Sequence, residues 1–314
     1  MKGTTATVTN AKKPNRFVKG VRQYWQIWVF IIPTIVYYVI FAYMPMYGAQ
    51  IAFKDFIPLK GIEGSPWVGF KHFIRFFQSP FFGEIMGNTI ILSLYSICVG
   101  FPLPIVFALL INYQRNQKFK KIVQTVSYAP HFISTVVMVG MLLLMLSPST
   151  GIVNLAIESL GGKRINFMGE AKMFRHIYVW SGVWQNMGYN AIIYIGALTA
   201  INPELHEAAM VDGATIWKRI WHIDIPGILP TIIILLIMQT GSLLSVGFEK
   251  TYLMQNNINS KYSEVISTYV YKQGLSRAQF SYGSAIGLFN SVVNFAILAT
   301  VNTISSKVGS SSLF

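Results

Sequence analysis

Six apolar runs, residues 26–47, 88–111, 132–146, 177–201, 227–248 and 282–305, decide what this chain can become. A helix crosses the hydrocarbon of a bilayer with about 20 mostly apolar residues. The third run is shorter than that, so its helix is predicted to begin earlier, near Ile122. In lipid the backbone must pair with itself, and no alternation typical of a lipid-exposed barrel recurs, so helices are the expected form. Charged residues make up 11% of the chain, against about 25% in a soluble domain. The expected fold class is therefore an all-α membrane protein with six transmembrane helices. Residues 1–25 read as an N-terminal tail, 26–305 as the membrane domain and 306–314 as a C-terminal tail. The first run starts near Gln26 and lacks a small-residue cleavage site, so it reads as a retained signal anchor.

The formal charge is +14, but the bases sit in tails and loops between apolar runs. That leaves little soluble surface for a nucleic-acid footprint, and no nucleic acid is expected as a partner; membrane lipid is. Lysine and arginine near span ends set orientation. Lys2, Lys12, Lys13, Arg16, Lys19 and Arg22 precede the first run, and Arg115, Lys118, Lys120 and Lys121 fill the second loop, both without an acid. Both segments read as cytoplasmic, which places the N and C termini and the fourth loop inside. The total count of bases is nearly even between the two sides, so the assignment rests on those two segments. Outer segments 48–87, 147–176 and 249–281 follow, where bases mix with acids such as Asp55, Glu158 and Glu264. The lone cysteine, Cys98, lies in an apolar run and supports neither a disulfide framework nor a thiolate cluster. No phosphate-binding glycine loop, zinc-protease helix motif or nucleophile elbow is present, so no catalytic residue and no metal ligand is assigned.

The fourth loop, residues 201–226, is too polar to cross and too patterned for a slack linker. Pro203 suits a helix start, and Glu204 and Glu207 suit the first turns, where the helix dipole favours acids. Gly213 after Asp212 permits a sharp turn. A second amphipathic helix follows, with Ile216, Ile220 and Ile223 on one face, and is predicted to end at Pro226. Such a helix–turn–helix suits a groove in a soluble partner. An interfacial helix that only anchors the loop fits the pattern equally.

Glu207-Ala208-Ala209, then Gly213, then Ile223-Asp224-Ile225-Pro226, has the spacing of the Glu-Ala-Ala loop of binding-protein-dependent ATP-binding-cassette (ABC) importer permeases, with Ile225 in place of leucine. The chain resembles that family. The segments YMPMYGAQIAFKDF (43–56), SPWVGFKHFIRFF (65–77), YAPHFIST (128–135) and SEVISTYVYKQGL (263–275) look like its carbohydrate (maltose-type) branch. The resemblance is to the lipoprotein-associated oligosaccharide subfamily, similar to the aldouronate and rhamnogalacturonan importers. The resemblance implies a type I ABC importer transmembrane domain in a bacterial cytoplasmic membrane. It also implies a second homologous permease, two cytoplasmic ATPases, an extracytoplasmic solute-binding protein and an oligosaccharide substrate. ATP and magnesium belong to the ATPases, and this chain binds no cofactor of its own. Glu207 is then expected at the ATPase cleft, Ala208 and Ala209 where close packing is needed, and Gly213 at the turn, with Asp212, Ile223 and Pro226 completing the coupling element.

Sugars are held by aromatic faces and by amide or hydroxyl groups lining a cavity. The fourth run offers Trp184, Asn186, Tyr189 and Asn190, the fifth Ser242 and Ser245, and the sixth Asn290 and Asn294, one turn apart. Trp184 with Tyr189 resembles the sugar-contacting stretch of the maltose-type permease. Each residue also has a plain reading as an interface aromatic or as polar glue between helices, and the companion permease could carry the main contacts. His131 has no intramembrane acid near it in sequence and reads as structural. Pro102 and Pro104 are expected to kink the second span. Glu249 could be solvated or paired with Lys250. An ion-coupled secondary transporter is the alternative function, but it calls for buried acids and an inverted repeat, and neither is visible.

Overall fold

The computed structural model describes residues 20, 23–170 and 172–308; the bases of the N-terminal tail and residues 309–314 lie outside them. Among the described residues the chain is helical throughout, with two isolated bridges and no strand. Helix α1 (Trp25–Tyr38) runs on through a π turn at Val39–Tyr43 and a 3-10 stretch at Tyr47–Phe53. Its apolar window is not buried anywhere, so this span faces lipid or another chain all round. Its C-terminal stretch, Tyr47–Phe53, packs mainly against the last helix. Next come α2 (Lys71–Phe77), α3 (Phe82–Gly100) and α4 (Pro102–Asn112). The α3–α4 break falls at Phe101, where Pro102 opens a new first turn, a position at which its missing N–H costs nothing.

The third run departs from expectation. Helix α5 (Gln117–Tyr128) does not continue into α6 (Thr135–Met145); the two meet at 99°. Pro130 sits in a 3-10 turn, Ile133 is extended, and Ser134 caps α6 by accepting the Val137 N–H. A proline and a fresh N-cap within five residues restart the helix rather than prolong it.

Helices α7 (Ile152–Ser159), α8 (Met173–Thr199), α9 (Pro203–Val211), α10 (Ile216–Arg219) and α11 (Ile225–Thr240) follow. The chain closes with α12 (Phe248–Met254), α13 (Ile266–Val270) and α14 (Phe280–Val308). Four helical stretches are long and apolar enough to cross a membrane: Trp25–Phe53, Phe82–Asn112, Ile216–Thr240 and Phe280–Lys307, or five with the bent pair. Helix α8 has 27 residues and is about 40 Å long, but Arg175, His176, Gln185, Asn186 and Asn190 dilute its hydropathy.

Buried side chains form three clusters. Leu92, Met138, Phe174, Tyr178 and Met254 tie α3, α6, α8 and α12 together. Phe76, Ile85, Ile266, Tyr269, Tyr282 and Ile286 join α2 and α3 to the chain around α13 and α14. Ala108, Leu109, Ala191, Tyr194 and Ile228 join α4, α8 and α11. Gly188 lets α8 cross α5 closely: any Cβ there collides with the backbone carbonyl of Ser127.

Candidate functional site

The loop between α8 and α11 is built by local rules. Asn202 caps α9, its Oδ1 accepting the Glu204 N–H at 3.1 Å. The helix ends in a Schellman turn, in which Gly213 N–H donates to the Met210 carbonyl and Ala214 N–H to the Ala209 carbonyl. Gly213 has φ +75°, a left-handed conformation that a Cβ opposes. Thr215 then caps α10 through the Lys218 N–H.

The second half of the loop corrects the sequence reading. Pro226 does not end a helix. The chain runs from α10 through a π turn, Ile220–Asp224, straight into α11. In that turn the Ile225 N–H reaches back to the Ile220 carbonyl. The longer register lets Pro226, which has no N–H to give, stand in the first turn of α11. The loop's second helix is thereby a rigid extension of the span, and Ile220 and Ile225 key it to the cluster around Leu109 and Ile228.

A residue that the hydropathy pattern does not reveal anchors this element. Asp224 is fully buried. Tyr113, just past α4, donates its hydroxyl to Asp224 Oδ2 at 2.6 Å. His206 Nε2 on α9 lies 3.4 Å from Oδ1, and the Arg219 guanidinium sits over the Tyr113 ring at 5.4 Å. Burial and the adjoining carboxylate hold the Tyr113 phenol well above its ordinary range. One carboxylate thus fastens α9, the π turn and the end of α4 to one another. Glu207, Ala208, Asp212 and Gly213 remain exposed on the far side, while Ala209 and Ile223 are half-buried. Leu205, Met210 and Val211 are also exposed, Val211 at 88%, while exposed Trp217 and Trp221 line an apolar groove with Pro102, Val106 and Leu110 of α4. An apolar rim around a charged helix pair, held rigidly from behind, has the form of a docking surface.

The polar residues of the membrane domain divide into separate groups. On α8, Tyr189 stacks on His131 with ring centroids 3.7 Å apart and planes 5° from parallel. His131 Nδ1 donates to Asn186 Oδ1 at 2.9 Å. Trp184 is about 140° around the helix from Tyr189 and stands outside that group. Asn190 and Gln239 line a cavity of about 310 Å³ between α4, α8 and α11. Gln239 also borders a second cavity of about 170 Å³ with Ser242, Ser245 and Ser93. Gln239 is therefore shared by both, and an amide in the middle of an apolar run was its sequence signal.

Asn294 is committed elsewhere: Oδ1 accepts the Leu244 N–H at 2.9 Å and Nδ2 donates to Ser245 Oγ at 3.0 Å, pinning the end of the fifth span. Asn290, one turn earlier, keeps a buried Oδ1 without a hydrogen bond. Lys250 turns inward instead of pairing with exposed Glu249. Its Nζ donates to the Tyr178 carbonyl at 2.7 Å, and burial pushes its amine down to about 7. Among the described residues no three His, Cys, Asp or Glu side chains converge as metal ligands.

Comparisons with known proteins bear on both regions. The family profile described as binding-protein-dependent transport system inner membrane component matches residues 100–309. Two Bacillus subtilis proteins align over 98% of this chain. The polygalacturonan/rhamnogalacturonan transport system permease protein YteP is 39% identical, with 96% of its own length covered. Protein LplB is 38% identical, with 97% covered. A chain from the crystal structure of a bacterial ABC transporter involved in import of the acidic polysaccharide alginate superposes with a TM-score of 0.87. It is 40% identical, over 94% of this chain and 99% of that one. A chain of the alginate transporter in complex with a pentasaccharide-bound periplasmic protein gives 0.88 at 39% identity, over 95% and 100%.

Proposed function

The chain belongs to the binding-protein-dependent transport system inner membrane component family, and from that premise we infer what it carries and how it is driven. It is a membrane permease subunit of an ABC importer for sugars, a transport component and not an enzyme, with the type I importer permease fold. Six crossings with both termini in the cytoplasm accommodate its helices: the four apolar spans, the bent α5–α6 pair, and α8 with its polar face turned to the cavities. The membrane is the bacterial cytoplasmic membrane. The working assembly holds a second, homologous permease, two cytoplasmic ATPases that bind ATP and magnesium, and an extracytoplasmic binding protein. The cargo is an oligosaccharide, and relatives named for polygalacturonan, rhamnogalacturonan and alginate favour uronate-bearing chains.

The observation that carries the mechanism is the rigid loop between α8 and α11. Its exposed face, Glu207 through Gly213, seats in an ATPase cleft. Its back is locked to α4 and α11 through Asp224, so closure of the ATPases moves the spans and not merely the loop. The Tyr189–Asn186 group and the cavities around Gln239 supply sugar contacts on the path. Affinity purification of the tagged permease from its own operon tests the assembly: an ATPase and a second permease should come with it. ATP hydrolysis by the reconstituted complex should then rise when sugar-loaded binding protein is added. A complex lacking an ATPase, or one indifferent to the loaded binding protein, contradicts the reading.

A further inference from the structure

A further groove lies away from both groups above, at the outer end of the molecule. It encloses about 870 Å³ between α2, the turn after it, and residues 269–282. Lys71, Arg75 and Arg277 line it, and no aspartate or glutamate does. Lys71 is answered by Asp55 at 2.7 Å. The two arginines are not: among the described residues neither forms an ion pair. Other bases on the outer segments do find acids, such as Lys272 with Glu264 at 2.6 Å and Arg164 with Glu158 at 2.7 Å.

Neutral groups instead hold the two guanidiniums in place. Arg75 lies over the Tyr282 ring at 4.3 Å and donates to Gln279 Oε1 at 2.9 Å. Arg277 donates to Gln273 Oε1 at 3.3 Å. Between Arg277 and Gln279, Ala278 takes a left-handed φ of 53°, the only non-glycine to do so among the described residues. That turn brings both neighbours to the same groove. The side chains are thus oriented without being discharged, and they stay exposed. An oriented guanidinium presents a planar fork that matches a carboxylate. Phe70 and Phe81 offer ring faces beside them, and Gln78 offers an amide. Aromatic faces and amides suit pyranose rings and their hydroxyls.

We propose that this outer groove is a binding subsite for a carboxylate-bearing saccharide, with Arg75 and Arg277 reading the uronate groups. The proposal rests on the reading of the chain as an oligosaccharide permease. It adds a place where an acidic chain is held before it reaches the cavities between α4, α8 and α11. The ring faces and amides beside the two guanidiniums suit the pyranose faces and hydroxyls of a saccharide.

The test uses the assembled permease–ATPase complex without binding protein, titrated at low salt with trigalacturonate and with galactotriose. Trigalacturonate should bind about ten-fold tighter, a margin expected of two charge-assisted pairs, and the margin should shrink as salt rises. The double variant Arg75→Gln/Arg277→Gln should erase the margin, while Arg75→Lys/Arg277→Lys, which keeps charge but not the fork, should retain part of it. Equal binding of the two sugars by the wild type, or an undiminished margin in the glutamine variant, overturns the proposal. So does a glutamine variant that loses affinity for loaded binding protein while its margin between the sugars persists, since the groove would then be a protein-docking surface. If the permease reading itself were wrong, the wild-type complex would show no hydrolysis stimulated by loaded binding protein; if only the subsite were wrong, stimulation would persist.

Discussion

The bond between Tyr113 and Asp224 helps set how firmly the loop between α8 and α11 is tied to the membrane domain, and its strength can be worked out. Asp224 is fully buried and accepts the Tyr113 hydroxyl at 2.6 Å. A hydrogen bond to a charged acceptor contributes about 1.5–3 kcal/mol. Losing about 2 kcal/mol multiplies the population of loop-detached states by about thirty. The perturbations are Tyr113→Phe, which removes only the donor, Asp224→Asn, which removes the charge, and the pair together. Amide hydrogen exchange across residues 203–226 of the purified complex reads the detached population, and sugar-stimulated ATP hydrolysis reads its consequence. Each single variant should speed exchange in the loop and weaken stimulation. The double variant should be little worse than either single one, with a coupling energy of about 2 kcal/mol. Additive effects, or unchanged protection, would show that the loop is held by its apolar contacts with Leu109 and Ile228 alone.

Glu207→Arg or Gly213→Pro should abolish transport-coupled hydrolysis while the protein still inserts and assembles, as judged by co-purification; wild-type coupling in either removes the loop from the mechanism. Lys250 titrates at about 7 in the fold against an ordinary 10.5. Between those values the unfolded chain binds the extra proton, so this group's penalty is complete below about pH 7 and is relieved as pH rises towards 10.5. The thermal midpoint of the solubilised complex should therefore climb from pH 7 to 9, and less so in Lys250→Met; equal slopes refute the assignment. Tyr189→Ala, which dismantles the stack on His131, should raise the KM for sugar uptake by up to about ten-fold and leave basal hydrolysis unchanged. Trp184→Ala should do less, and the reverse order would move the site to the other face of α8.

Long apolar runs made four of the spans plain from sequence, because lipid leaves the backbone no alternative to a helix. The fourth run does form a helix, α8, but its amides and aromatics keep it out of the stretches apolar enough to cross. The break before α6 was not plain. Pro130 and Ser134 both stand in view, but hydropathy alone does not say whether a proline bends a helix or restarts it at 99°. The reading of Pro226 as a stop failed for a related reason: a π turn absorbs the missing N–H, and propensity rules written for α-helices do not anticipate it. Glu207 to Gly213 stand out by their spacing, whereas nothing in that spacing marks Asp224. Its partner Tyr113 is 111 residues away, and only the fold brings the two together. Asn294 carries both a sugar-contact and a helix-packing reading in the sequence, and only the fold shows its amide bonded to Leu244 and Ser245.

The central claim is that the loop between α8 and α11 plugs into an ATPase on the cytoplasmic side. A single cysteine at Val211, 88% exposed at the tip of α9, introduced with Cys98→Ser, tests it by cross-linking in native membranes. The account predicts a covalent product between permease and ATPase, weakened or shifted by ATP, and no labelling of that cysteine by impermeant reagents added from outside. Labelling from outside, or full sugar uptake by a permease whose loop yields no such product at any nucleotide state, would contradict it.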